Sequence, residues 1–322
     1  MSPATQMADV CLIIPNWNGE EHLRECLDSV REQTLQPRQT VLVDNGSTDG
    51  SLRLLAADYS WVTVLPLKSN VGFAKAVNNG IKASTSTYVA LLNNDTQLDP
   101  DWLATLVDVL HDHPEVGVVG SKTLNFYHRN VIDGAGDALT RGGAPYTRGM
   151  GEPDDGRYSR REYVFSACAG AALYRRIVFE RIGLFDEDFV SYYEDQDFAF
   201  RAQLMGFRCM YVPEALCYHK RGATGNLIPM YPLRMQERNL TAFYLKNFPW
   251  QVLLVKFPLI VGSRMRRWYR AFRLGAGKPM VQGFLEGLRL LPVTLAKRQK
   301  VQKTRIVSIR YVFSLMRGAR PS

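Results

Sequence analysis

Through the first 120 residues, short apolar runs ending in polar clusters alternate with stretches that carry an apolar residue every third or fourth position. VCLIIP (10–15) is such a run, and it breaks at Pro15-Asn16 as a buried strand entering a loop does. In EEHLRECLDSVREQ, Leu23, Leu27 and Val30 share a helical face, and Pro37 punctuates the exit. TVLVD (40–44) predicts a second strand, and GSTDGS a turn and helix start with Ser47, Thr48 or Asp49 as cap. WVTVLPL (61–67) reads as a third strand, and GFAKAVNNGIKAS sets Phe73, Val77 and Ile81 on one helical face. TYVALLNND (87–95) is apolar without alternation, as in a strand covered on both faces. DPDWLATLVDVLHDH predicts a capped helix and VGVVG (116–120) a fifth strand. Alternation in units of about 25–30 residues predicts an α/β fold, a mostly parallel sheet with helices on both faces.

Charge divides the chain. Residues 240–322 hold seventeen Lys/Arg against one acid, Glu286, whereas residues 1–239 carry more acids than bases. This predicts an acidic, catalytic-looking body over 1–239. A basic helical extension over 240–322 completes the chain. The 46% hydrophobic and 22% charged fractions exclude a wholly disordered or collagen-like chain. Five cysteines without a C-x-x-C pair argue against a disulfide framework or zinc ribbon and fit a reducing compartment. The start, MSPATQMADV, lacks a basic region followed by an apolar run, so no secretory leader is expected.

Polar residues gather where strands end: Asn16 and Asn18, Asp44 and Asn45, then Asn93 to Asp95. In open α/β sheets ligands bind beyond the carboxyl ends of the strands, so these clusters should meet in one crevice. PNWNGEEH after the first strand is not G-x-G-x-x-G, and neither a Walker P-loop nor a G-x-S-x-G elbow occurs. Carboxylates and amides remain: Asp44, Asp95 and the later Glu194-Asp195-x-Asp197.

Six segments in order, IIPNWNGEEHL, VLVDNGSTDGS, NVGFAKAVNNGI, LLNNDT, GLFDEDF and YYEDQDFAFRAQLMGFRCMYVPEALCYH, resemble the family 2 glycosyltransferases. More narrowly they are similar to the rhamnosyltransferase-like branch that builds bacterial cell-surface polysaccharides. The resemblance spans roughly residues 10–220 and implies the nucleotide-sugar-binding GT-A fold with inversion at the anomeric carbon, and within the 1–239 catalytic domain a nucleotide-binding part at about 8–121 and an acceptor-binding part at about 122–239. It implies that Asp44 accepts the N3–H of uracil or thymine, with Asn16, Asn18 and the Pro15 carbonyl nearby; Asp44-Asn45-Gly46 is also a good turn sequence.

Transfer from a nucleoside diphosphate expels a dianion, and a hard divalent cation, Mg²⁺ or Mn²⁺, on carboxylate oxygen would stabilise it. The family's D-x-D metal motif reads Asn93-Asn94-Asp95 here, which leaves Asp95 as the carboxylate ligand and Asn93 for ribose or a metal-bound water. His219 stands where relatives place a metal-ligating histidine; a structural histidine after a strand is the competing reading. Gly72 and Lys75 open a helix, a place suited to diphosphate, although Lys75 equally fits a solvated surface lysine. The resemblance makes Asp195 the general base that takes the acceptor hydroxyl's proton, with Glu194 and Asp197 orienting the acceptor or the loop. N-terminal capping of the helix at YYEDQDFAFRAQLMGF, which turns Phe198, Ala202 and Met205 inward, is the plainer account of the same acids.

Residues 122–163 are rich in Gly and Arg, and predict a hairpin near Gly142-Gly143 and a mobile flap. Arg141, Arg148, Arg157, Arg160 and Arg161 suit donor or lipid phosphates, or a solvated rim; the sequence does not choose. In the tail, aromatic and leucine side chains interleave with cations, and Pro249, Lys256 and Pro258 interrupt the longest apolar stretch. That pattern fits interfacial helices on an anionic membrane surface. An ordinary helical cap is the plainer alternative, and no nucleic-acid-reading module is recognisable.

The expectation is therefore an inverting transferase using a UDP- or dTDP-sugar, the resemblance favouring rhamnose from its thymidine diphosphate form. Its acceptor is a glycan or a polyprenyl-diphosphate-linked sugar, met in the cytoplasm at the inner face of the cell membrane. A sugar-phosphate nucleotidyltransferase, or a silent membrane-bound scaffold for sugar nucleotides, are the rivals; the first normally shows a lysine-bearing Gly-rich loop that PNWNGEEH lacks.

Overall fold

The computed structural model describes residues 6–221 and 230–316. The N-terminal segment read for a leader and the last basic residues of the tail lie outside the described residues.

The nucleotide-side half follows the pattern. Strands β1 (Gln6–Asn16), β2 (Leu35–Asp44), β3 (Thr63–Pro66) and β4 (Tyr88–Leu92) are parallel neighbours in the order β3-β2-β1-β4. Helices α1 (Glu20–Arg31), α2 (Ser51–Asp58), α3 (Phe73–Lys82) and α4 (Trp102–Asp112) connect them and continue the chain. Alternate residues of β1 serve opposite cores: Val10, Leu12 and Ile14 pack with α1, α2 and α4, whereas Cys11 and Ile13 pack with α3. The central sheet is thus buried on both faces, as the continuous apolar runs required.

Two features were not legible beforehand. Strand β11 (Ala171–Arg175) enters antiparallel between β4 and β6 (Val116–Asn125), and β12 (Arg208–His219) then returns parallel to β6. Pro213, Glu214 and Ala215 of β12 have no counterpart on β6, a bulge after which the strand also pairs β5 (Thr96–Leu98). The second feature is a capping correction. Asp101 makes no side-chain cap on α4, and at α2 only Asp49 acts, its Oδ1 accepting from Ser51 N one residue beyond the expected cap.

The Gly/Arg-rich segment is a set of short strands: β7 (Ile132–Gly134), β8 (Asp137–Leu139), β9 (Pro145–Thr147) and β10 (Glu162–Val164). The β8–β9 hairpin turns at Gly142-Gly143 as expected. Of its arginines, Arg148 is only 2% exposed and bound to Glu162, Arg157 pairs with Asp155 and Glu152, and Arg161 pairs with Glu214. Arg141, Arg157, Arg160 and Arg161 are exposed, in keeping with a solvated rim, and of the five only Arg148 is buried.

The division at 239/240 is corrected by α7 (Tyr231–Asn247), which runs through it. Phe243, Phe248 and Val252 pack with Phe165, Phe200 and Leu204 of the body, so the C-terminal region starts inside a shared core. Helices α5 (Arg176–Ile182) and α6 (Glu194–Leu204) belong to the body, and beyond α7 follow α8 (Trp250–Arg273), α9 (Gly277–Arg289), α10 (Leu291–Thr304) and α11 (Ile309–Leu315). Helix α8 begins after Pro249 and continues through Pro258. Along its outer side Leu254 (74% exposed), Phe257 (63%), Val261, Met265 and Phe272 recur at one- or two-turn spacing. No helix among the described residues is long and apolar enough to cross a membrane.

Candidate active site

The carboxyl ends of β1, β2 and β4 bring the first polar clusters together. Asn16 and Asp44 are register partners on β1 and β2. Asn16 Nδ2 donates to Asp44 Oδ1 (3.4 Å) and to Ser47 Oγ (3.2 Å), while Asn16 Oδ1 accepts from Asn94 Nδ2 at 2.6 Å. Asp44 is 1% exposed, and Ser47 N donates to its Oδ2 at 3.2 Å. The turn reading and the ligand reading therefore coexist: the turn orients the carboxylate. Gly46, at φ +76°, lets the following turn press against Ser69, where a Cβ would meet backbone at 2.6 Å. Asn18 takes a left-handed backbone (φ 49°), its Oδ1 accepting from Thr48 N, so it braces the loop after β2. Pro15 precedes Asn16 at the partly buried end of β1.

Gly72 is the residue before α3, at φ +85°, and a Cβ there would meet Val190 at 2.6 Å. Ala74 N donates to Val190 O, so the first turn of α3 lies against the loop that leads into α6. Lys75 stands exposed on that turn.

At the end of β4, Asn93 N donates to Gly170 O, and Asn94 is buried against Asn16. Asp95, also buried, receives His219 Nε2 on Oδ1 at 3.2 Å. The other nitrogen, His219 Nδ1, lies 2.8 Å from Asp133 Oδ2, and Arg221 pairs with Asp133 Oδ1 at 3.1 Å. Burial opposes the imidazolium, but hydrogen bonds and charge from Asp133 and Asp95 prevail and push His219 up to about 9. Burial likewise acts to raise Asp95, and the His219 hydrogen bond and charge outweigh it, holding the carboxyl below its ordinary value. Among the described residues no group of three or more His, Cys, Asp or Glu converges as a metal cage. Asp133 was missed: in VIDGAGDAL it reads as one more acid of a polar loop.

Asp195 lies in the first turn of α6, half-buried. Its Oδ1 accepts from Gln196 N (2.9 Å) and its Oδ2 from Ala169 N (3.4 Å), beside the Gly170 that meets Asn93. A continuous chain of contacts thus joins Asp44, Asn16, Asn94, Asn93, Gly170 and Asp195. Burial, then the charge of Asp137, raises Asp195 to about 7. Glu194 is buried with Oε2 unpartnered, and burial followed by the charges of Asp195 and Asp197 pushes it well above the carboxylate range.

Asp197 does not join them. It is 0% exposed and accepts from Arg201 Nε (2.9 Å), Lys246 Nζ (2.8 Å) and Asn247 Nδ2 (2.8 Å). Of the two parts expected of it, orienting the acceptor or the loop, these contacts bear on the second: they fasten α6 to α7. Phe198 and Ala202 face the core as expected, and Met205, only partly buried, closes the helix.

Residues 11–183 match the model of glycosyl transferase family 2. The chain belongs to that family. Over 243 residues this glycosyltransferase is 29% identical to the N-acetylglucosaminyl-diphospho-decaprenol L-rhamnosyltransferase of Mycobacterium tuberculosis, covering 68% of this chain and 79% of that protein. Its fold matches that of S. aureus TarS 1-349 in complex with UDP, with a TM-score of 0.58 at 18% identity over 95% of this chain and 90% of the other. The mannosyltransferase PcManGT of Pyrobaculum calidifontis, in complex with GDP-Man and Mn²⁺, gives a TM-score of 0.50 at 20% identity, covering 98% and 80%. The glycosyltransferase therefore has the GT-A architecture, a central mostly parallel sheet flanked by helices.

Proposed function

We propose that this chain is an inverting glycosyltransferase that moves a sugar from a UDP- or dTDP-linked donor to a hydroxyl of a polyprenyl-diphosphate-linked glycan. The observation that carries the reading is Asp195. A half-buried carboxyl raised to about 7 ends the polar chain that starts at Asp44. In a single displacement the acceptor oxygen bonds to the anomeric carbon, its proton passes to Asp195, and the carbon–oxygen bond to the nucleoside diphosphate breaks. One base and one displacement need no covalent sugar–enzyme intermediate.

Asp44 fits the base-binding role, because each of its oxygens makes only a long hydrogen bond and keeps capacity for an imide N–H. Gly72 and Lys75, at the N-terminal end of α3, take the diphosphate role in this reading. A divalent cation, Mg²⁺ or Mn²⁺, would be held by Asp95 through carboxylate oxygen and by His219 through Nε2, binding at the expense of the proton that the imidazolium now directs at Asp95, with Asp133 orienting the ring from behind. Such an ion would neutralise charge on the departing diphosphate. With two protein ligands, its remaining positions fall to phosphate oxygens and water. Asn93 and Asn94 border that place.

The mycobacterial relative, named for L-rhamnose transfer to a decaprenyl-linked sugar, supports rhamnose and a lipid-linked acceptor. The UDP complex of TarS supports a uridine donor equally. The exposed apolar side of α8, with Arg266, Arg270 and Arg273 also exposed on that helix, supports seating on the anionic cytoplasmic face of the membrane.

The deciding experiment is Asp195→Asn. Transfer should fall by about 10²–10⁴-fold, while stabilisation by UDP or dTDP in a thermal-shift assay persists. Wild-type kcat/KM should decline as pH drops through about 7, because the base must be ionised. Undiminished transfer by Asp195→Asn refutes the assignment.

A further inference from the structure

The segment read as a flap supplies a carboxylate that the chemistry above leaves unused. Asp137, on β8, is buried at 1% exposure, with Thr147 Oγ1 donating to its Oδ1 at 2.9 Å and Gln196 Nε2 donating to its Oδ2 at 2.8 Å. Gln196 is the neighbour of Asp195 whose backbone N–H holds the Asp195 Oδ1. One residue thus grips both carboxylates, by its main chain on one side and its side chain on the other. The hairpin is fixed at both ends: Asp137 exchanges backbone hydrogen bonds with the Ser166 strand segment, and its tip at Gly143 packs against Phe248.

Resting on the reading of Asp195 as base, we propose that Asp137 is a positioning residue, anchoring Gln196 and setting the field in which Asp195 takes the acceptor's proton. The surroundings leave little else for that role. Glu194 on the same turn has its charged form disfavoured by burial, with the charges of Asp195 and Asp197 adding to it. Tyr174 from β11 and Tyr193 before α6 are raised by burial and are neutral in the working range. Cys168 on the preceding loop and Cys209 on β12 are thiols, Cys209 pushed up to about 12 by burial. Arg148, beyond β9, is committed to Glu162. Asp137, raised by burial to about 6 against the hydrogen bonds of Gln196 and Thr147, and Asp195 titrate as a pair around neutrality. A negative charge beside Asp195 disfavours its ionised form, so it keeps the carboxylate basic enough to accept a proton.

The test is the pH profile of Asp137→Asn in the full chain, with UDP- or dTDP-sugar transfer as readout. The acid limb of kcat/KM should move down by about one pH unit, with kcat on the plateau reduced several-fold and donor KM unchanged. A limb that stays in place while kcat falls uniformly means a structural role and overturns the inference. Should Asp137→Asn fail to fold, Gln196→Met decides: without the amide that favours the Asp137 carboxylate, Asp137 keeps its proton to higher pH and the acid limb should again move down, with donor KM unchanged. A limb that stays in place overturns the proposal, whether or not kcat falls. Asp195→Asn run alongside separates the two failures. If that variant is inactive while Asp137→Asn matches wild type, only the positioning role falls. If Asp195→Asn is fully active, the base reading falls with it.

Discussion

Replacing Asp197 by alanine should unfold the protein earlier rather than simply silence it. The carboxylate is fully buried and its three donors, Arg201, Lys246 and Asn247, come from α6 and α7. Lys246 also pairs with Asp186, which is held well below its ordinary value by Lys246 and Lys297 despite the opposing effect of burial. Two buried acids and two buried bases therefore balance, and removing Asp197 strands one positive charge. Breaking a buried pair from one side costs about 3–5 kcal/mol, a large part of the roughly 5–15 kcal/mol that keeps a protein folded. At about 2.1 cal/mol/K per residue, the unfolding entropy of the 322-residue chain is about 0.7 kcal/mol/K. Tm should drop by about 4–7 °C in a calorimetric scan. Below that transition, residual transfer per folded molecule should stay within a few-fold of wild type. An unchanged Tm with transfer abolished would refute this reasoning and return Asp197 to the acceptor.

Ending the chain after residue 239 deletes Lys246 and Asn247 along with Phe243 and Phe248; such a fragment should fail to give a cooperative melt, and a sharp transition at wild-type temperature would show the body self-sufficient. Asp133→Asn weakens the support behind His219 and should lower Mn²⁺ affinity about 10–100-fold, read by calorimetric titration without any transfer assay. Leu254→Glu with Phe257→Glu should abolish sedimentation with vesicles rich in anionic lipid while leaving transfer to a water-soluble acceptor intact; unaltered sedimentation would remove α8 as the lipid-facing side.

The strand-end clusters were readable because they depend on near neighbours. Asn16 and Asp44 sit at the ends of apolar runs whose parallel pairing follows from those runs, and the register then aligns them. Asp195 was recognisable from its motif, but the reason its carboxyl is tuned was not, because Asp137 reaches it across 58 positions through an amide side chain. The partners of Asp197 were hidden for a similar reason: Lys246 and Asn247 lie about fifty residues downstream, within what composition marked as a separate basic tail. Charge asymmetry separates surfaces, and it cannot see that Phe243 and Phe248 belong to the same core as Phe165 and Phe200. The antiparallel insertion of β11 was equally hidden, since AALYR looks alike in either strand direction.

The bulge in β12 has an effect on how the molecule tolerates change. Downstream of Pro213–Ala215, His219 is clamped laterally by β5 on one side and β6 on the other, Thr96 and Asn125 being its partners. Its location is consequently referenced to those two neighbours, and not to the distance travelled from Arg208. Three spare residues act as slack in a tether, so small shifts of the sheet interior are absorbed before they reach the imidazole.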